Sequence, residues 1–138
     1  MQSNNEGNII LAKLEHGENL FNDLKEIVSK YTVRSGMIIW GIGMFSRCDL
    51  GYFNGKEYEH RIIETPGEVV SLHGSISETE PVFHIHASLA LKDHNVTGGH
   101  LFDATISPLL EVQIMKVDSV HINRELNSRS GLKEIKIS

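Results

Sequence analysis

Cysteine is nearly absent from the chain. Cys48 is the only one among 138 residues, so there can be no internal disulfide, no Cys-x-x-Cys redox pair and no thiolate zinc cage. This usage fits a reducing compartment, and we expect a cytoplasmic protein.

Long apolar runs are missing as well. The longest, MIIWGIGMF from Met37, has about nine residues, roughly half of what a membrane-spanning helix needs. The start of the chain, MQSNNEGN, is polar and has no basic region leading into an apolar stretch, so it does not resemble a secretion signal. We expect a soluble protein without membrane contacts, in which residues 1–7 are disordered.

Positive charge is scarce. The chain has 13 basic and 18 acidic residues, a formal net charge of -5, and no cluster of Lys and Arg that would attract phosphate groups. DNA remains a conceivable partner, because an oligomer can bring basic groups together locally, but the charge does not support it. With 40% hydrophobic residues, residues 1–138 are enough for one domain with one core.

The apolar pattern predicts an α+β fold, made mainly of antiparallel sheet with one principal amphipathic helix. The run NIILAKL predicts a strand. A helix follows, because apolar residues at steps of three and four share one face: Leu20, Phe21, Leu24, Ile27, Val28 and Tyr31. From Ser35 onward the chain consists of short β-rich runs separated by turn residues.

Two short stretches predict details of the sheet. Asn54-Gly55 predicts a hairpin with a type I′ turn, because both residues accept positive φ. The alternating LKEIKI near the end of the chain predicts either an edge strand or a contact with another subunit.

The stretch HIHASLALKDHNVTGGHL, residues 84–101, carries the clearest chemistry. In a strand, His84 and His86 lie on one face, about seven ångströms apart along the chain. The opposite face is entirely apolar and must point into a core: Phe83, Ile85, Ala87, Leu89 and Leu91. The two imidazoles therefore point away from that core.

A reversal at Asp93 would bring a third histidine to the pair. With a loop of about three residues, the numbers of paired residues sum to 186, so His86 lies opposite His100 and all three imidazoles converge. Gly98 and Gly99 would either avoid a collision with another backbone or ligand, or permit a bulge that redirects His100. Three converging imidazoles are the ligand set of a zinc or similar site.

The alternative is that these histidines are hydrogen-bonded or face solvent. With eight histidines in the chain, one His-x-His pair arises by chance roughly four times in ten, so the pair alone is weak evidence. His73 could reach the same cavity, whereas the other histidines are expected at the surface: His16, His60, His94 and His121.

A three-histidine metal would keep a fourth position open for water or a small carboxylate or keto ligand. Glu111 is one acidic candidate beside it, and Asp103 would fall on the face opposite His100. Neither is identified as an acid or base, so whether the protein is an enzyme stays open.

The chain resembles the plant and prokaryote conserved (PPC) domain in its stand-alone prokaryotic form. The resemblance rests on five stretches that run almost end to end: LEHGENL, GIGMFSRCDLGYF, EVVSLHGSIS, HIHASLALKDHNVTGGHL and ATISPLLEVQI. It implies metal ligands at His84, His86 and His100, a homotrimer, and an architecture related to acetolactate decarboxylase, a three-histidine zinc enzyme. Fold analogy does not transfer the reaction.

The family is often labelled DNA-binding, because plant members carry an AT-hook before this domain. This chain has no Arg-Gly-Arg-Pro core. We therefore expect a homotrimeric protein with a divalent transition metal, zinc by preference, that binds or converts a small molecule. The alternatives are a DNA-binding or transcription-associated regulatory module acting through protein contacts, and a purely scaffolding trimer.

Overall fold

The computed structural model describes residues 1–138, which form one helix and nine strands and so confirm the α+β class. The strands are β1 Gln2–Glu6, β2 Ile9–Glu15, β3 Ser35–Phe53, β4 Tyr58–Ile63, β5 Gly67–Ile76, β6 Phe83–Ala90, β7 Val96–Val117, β8 Ile122–Leu126 and β9 Lys133–Ile137, and the helix is α1 Leu20–Lys30. No helix has the length and apolar character to cross a membrane.

The helix forms where the apolar period predicts it. Asn19 begins it as the N-cap, and its side chain accepts a hydrogen bond from the Asn22 backbone N–H, which satisfies one of the free donors of the first turn. Leu20, Leu24 and Ile27 are fully buried. The rest of the predicted face, Phe21, Val28 and Tyr31, packs against the same core from its rim.

Seven strands form one antiparallel sheet in the order β1-β2-β7-β6-β5-β3-β4. The two long strands also pair with each other, since β3 bonds to β7 as well as to β4 and β5. This extra pairing closes a ring of four strands, β3-β5-β6-β7, which leaves few free edges. The remaining strands, β8 and β9, form a separate hairpin.

The start of the chain is ordered, which corrects the expectation of disorder over residues 1–7. Gln2–Glu6 forms β1 and pairs antiparallel with β2 from Gln2 opposite Lys13 to Glu6 opposite Ile9. Its side chains are mostly exposed, so β1 lacks the alternating apolar residues that indicate a strand in a sequence. The strand exists because β2 offers it an edge of unpaired backbone groups.

The Asn54-Gly55 hairpin is present, but its turn is not type I′. Phe53 pairs with Tyr58, which leaves a four-residue loop, and only Gly55 in it has positive φ, at +95°. The Asn54 side chain accepts hydrogen bonds from the backbone N–H groups of Lys56 and Glu57. This local capping by an Asn side chain competes with the two-residue turn.

Candidate metal centre

The histidine stretch forms the hairpin that its pattern predicts. Strand β6 carries His84 and His86, and His86 pairs directly with His100 on β7. The paired numbers sum to 186 as expected, and His94 lies in the connecting loop with φ of +64°. On the opposite face of β6 the predicted apolar residues Phe83, Ile85, Ala87 and Leu89 are buried.

The register aligns further histidines across the sheet. His73 on β5 pairs with His86, while on the other side His100 pairs with Gly51 and Gly51 pairs with His60 on β4. Directly opposed residues project to the same face. One row across five strands therefore carries four imidazoles and one glycine.

Only three histidines of this face bring their ring nitrogens together. One ligand atom from each of His84, His86 and His100 lies within 4.8 Å of the others. His73 does not join them, and its Nε2 lies 2.9 Å from the Ser71 hydroxyl instead. His60 is also separate, since its Nδ1 lies 3.0 Å from the Asp49 carboxylate.

The donor set fits a tetrahedral metal ion. The Nε2 atoms of His84 and His86 are 3.2 Å apart, and two nitrogens bound to zinc at its usual distance and a tetrahedral angle would be about 3.3–3.4 Å apart. The same separation also suits a hydrogen bond between the two rings. The buried Nδ1 of His100, however, has no hydrogen-bond partner, and a metal ion is one partner that would satisfy such a nitrogen.

The surroundings of His84 and His100 lower the pKa of both rings and so favour the neutral form, which is the form that binds metal. Loss of hydration, followed by the neighbouring charges of His84, His86 and Arg124, lowers the pKa of His100 to about 4. Burial, followed by the charges of His86 and Arg124, also lowers the pKa of His84. Both rings are therefore uncharged near neutral pH, each with one ring nitrogen that carries no proton.

The two glycines before His100 bring backbones close together. A Cβ at Gly98 would lie 2.6 Å from the Ala87 carbonyl oxygen, and one at Gly99 would lie 2.5 Å from the Gly51 carbonyl oxygen. The close approach expected at Gly98 and Gly99 is therefore made by the backbone of β7 to the backbones of its neighbouring strands. It holds β7 against both β6 and β3 beside the histidines.

An aromatic wall lies on one side of the cluster. The ring of His100 is 4.9 Å from that of Tyr58 and 4.5 Å from that of Phe102, centroid to centroid. The Phe102 ring occupies the space above Gly51, where a Cβ would lie 2.4 Å from its Cε2 atom. These apolar faces limit the access of water to His100 from this side.

The cluster opens into a cavity of about 790 Å³, within the size range of small-molecule sites. His84 and His100 line it together with groups from α1, β6 and the β8-β9 hairpin. Arg124 on β8 lines it too. Arg124 lies in a polar tail with no motif around it, so nothing in the sequence singles it out as a site residue.

The two acidic candidates lie elsewhere. Asp103 accepts hydrogen bonds from Asn19 and Arg47, and Glu111 lines a different depression beside Trp40. Neither contacts the three histidines. The cluster thus has no carboxylate from these positions to serve as an acid or base.

The family comparison matches the Plants and Prokaryotes Conserved (PCC) domain over residues 1–118. Among solved structures, a metal-containing protein from Archaeoglobus fulgidus is 29% identical, with a TM-score of 0.84 over 93% of this chain and 92% of that one. A plant- and prokaryote-conserved protein from Pyrococcus horikoshii is 28% identical, with a TM-score of 0.81 over the same shares.

Two more distant structures share the fold. A candidate DNA-binding protein from Bacteroides thetaiotaomicron is 23% identical, with a TM-score of 0.89 over 98% of this chain and 96% of that one. An acetolactate decarboxylase from Bacillus subtilis is 16% identical, with a TM-score of 0.58 over 78% of this chain and 52% of that one. The expected architectural relation to that enzyme is confirmed. No curated protein matches the chain.

Proposed function

Since the chain belongs to the Plants and Prokaryotes Conserved domain family, we propose that it is a homotrimeric metal-binding protein with a three-histidine site. His84, His86 and His100 hold a divalent transition metal, zinc by preference, and the site binds a small molecule. A zinc ion on three neutral imidazoles supplies an open coordination position to water or to a ligand oxygen.

The observation that carries this proposal is the convergence of the three ring nitrogens within 4.8 Å. Two of them are already spaced like one edge of a zinc tetrahedron, at 3.2 Å. The metal-containing relative from Archaeoglobus fulgidus, which is 29% identical, also supports the proposal of a metal site. Zinc is preferred because an all-imidazole, three-ligand set suits it and leaves a fourth position free.

Exposed apolar side chains support self-association. Leu11 on β2, Ile42 on β3 and Val70 on β5 are each more than half exposed, at 53%, 51% and 51%. Large apolar side chains that one sheet leaves exposed to water are often buried at an interface between copies. The trimeric state itself comes from the family resemblance.

The test is the metal content of protein made without a histidine tag, measured by elemental analysis per chain. Wild type should hold about one ion, and His86→Ala should hold none. His73→Ala is the matched control, because His73 is also exposed and lies directly opposite His86 on the next strand; it should keep the metal. Wild type that stays empty after zinc, manganese and nickel are offered would refute the metal site.

The second proposal is a DNA-associated module. It is considered because a structure of the same fold, from Bacteroides thetaiotaomicron, is described as a candidate DNA-binding protein. Binding through several phosphates predicts an affinity that falls steeply with salt. A chain of net charge -5 should bind a duplex weakly at any ionic strength. Tight, strongly salt-dependent binding by the trimer would favour this second candidate.

A further inference from the structure

Arg124 is a buried cation without a counterion. The residue is only 7% exposed, and charged groups buried to this extent are almost always paired. Its Nε donates to the Pro81 carbonyl oxygen at 2.9 Å and its Nη2 to the Ser75 hydroxyl at 2.8 Å. Both acceptors are neutral, so the hydrogen bonds orient the guanidinium and leave its charge uncompensated.

The guanidinium lies beside the candidate metal centre. Ser75, which accepts its Nη2, is the residue of β5 directly opposite His84, and directly opposed residues project to the same face about 5 Å apart. The charge of Arg124 also contributes to the lowered pKa of both His84 and His100. Its remaining nitrogen, Nη1, has no hydrogen-bond partner, and the residue lines the cavity.

The other charges of the cavity do not neutralise Arg124. Two further cations, Lys25 and Lys133, line it. The carboxylate of Glu80 accepts from the Val82 backbone N–H, and that of Glu134 accepts from Ser130 and Asn127. Both carboxylates are exposed at the rim.

We infer that Arg124 binds the carboxylate of a small organic acid held in this cavity next to the three histidines. Guanidinium groups bind carboxylates through charge-assisted hydrogen bonds. An acid with a keto or hydroxy oxygen beside its carboxylate also offers that oxygen as a ligand to the metal. The contact between this oxygen and the metal rests on the proposed metal site. The anion-binding role depends on Arg124 alone.

The test compares two acids, pyruvate and phenylpyruvate, with their neutral amides by titration calorimetry. Wild type, Arg124→Met and Lys133→Met are each titrated in zinc-loaded and metal-free form, and the zinc content of each is measured. Wild type should bind at least one acid more tightly than its amide, and Arg124→Met should lose about 10–100-fold in acid affinity. Lys133→Met, which removes an exposed cation of the same cavity, should keep the preference.

The outcomes separate the two claims. Arg124→Met that retains both zinc and the acid preference would overturn the role of Arg124 and leave the metal site standing. Wild type that binds acid and amide alike, or neither, would overturn it as well. Protein without zinc would refute the metal site, while the metal-free titrations would still decide on Arg124. If the methionine variant does not fold by circular dichroism, Arg124→Lys replaces it, and unchanged acid affinity there would contradict binding by the guanidinium fork.

Discussion

Replacing Gly99 by alanine should damage both the fold and the metal site. The added Cβ would lie 2.5 Å from the Gly51 carbonyl oxygen on β3. Carbon and carbonyl oxygen atoms approach to about 3.3 Å in sheets, so β7 and β3 must separate by about 0.8 Å at this point. The obstacle is backbone on a long, doubly paired strand, which cannot rotate away as a flexible side chain would.

The expected cost follows from this separation. Overpacking in a well-packed region costs about 1–3 kcal/mol, which lowers the urea midpoint by roughly 1 M for a protein of this size. His100 is the next residue of β7, and metal–ligand distances tolerate only about 0.2 Å. A displacement several times larger than that tolerance should weaken metal binding, even where the protein still folds.

The assay pairs urea unfolding at fixed protein concentration with the zinc content per chain. Val96→Ala is the control, because Val96 lies on the same strand with a 62% exposed side chain, and such substitutions usually change stability by less than about 0.5 kcal/mol. If Gly99→Ala keeps both the urea midpoint and the zinc content of wild type, the close approach of β7 to β3 does not constrain the position of His100.

Three other outcomes follow from the structure. Burial and the nearby Glu18 raise the pKa of Asp23 from 3.8 to about 6, so its ionisation in the folded state destabilises the protein increasingly from pH 4 to 6 and fully above 6. Asp23→Asn should accordingly be more stable than wild type by on the order of 1 kcal/mol at pH 7, with a gain in urea midpoint that vanishes near pH 4; an equal gain at both pH values would contradict this. Burial raises the pKa of the Cys48 thiol to about 11, so a thiol reagent at pH 8 should label it only after unfolding, and rapid labelling of folded protein would show that the site opens. Ile42→Glu places a charge beside exposed apolar side chains and should reduce the mass in light scattering from that of the proposed trimer to that of a monomer, whereas Lys56→Glu, at an exposed position of the β3-β4 loop, should not; a trimeric mass unchanged by Ile42→Glu would remove Ile42 from the proposed interface.

Local pattern was sufficient to predict the hairpin with the three histidines. Alternation fixed which face of β6 carries His84 and His86, and the turn residues after Leu91 fixed the register that brings His100 opposite His86. Both are short-range features, with all partners within 17 residues of each other. The helix was predictable for the same reason, since its period and its Asn19 cap are local.

The missed features depend on partners that are distant in the sequence. β1 has no apolar pattern and exists only because β2 offers an edge. Arg124 has one hydrogen-bond partner 43 residues away and another 49 residues away, and nothing near it in the sequence indicates burial. Tyr58 and Phe102 meet His100 through the pairing of three separate strands, which single-strand periodicity cannot predict.

The candidate metal ligands and Arg124 lie on different segments of the chain. The three histidines come from one hairpin inside the region matched by the family model, residues 1–118, whereas Arg124 and part of the cavity wall come from the β8-β9 hairpin beyond it. The proposed metal binding and the proposed ligand selection therefore rest on different segments of the chain. If both proposals hold, substitutions in the β8-β9 hairpin should change which molecule the cavity accepts while the hairpin that carries the histidines stays intact, so the same three-histidine site could serve different ligands.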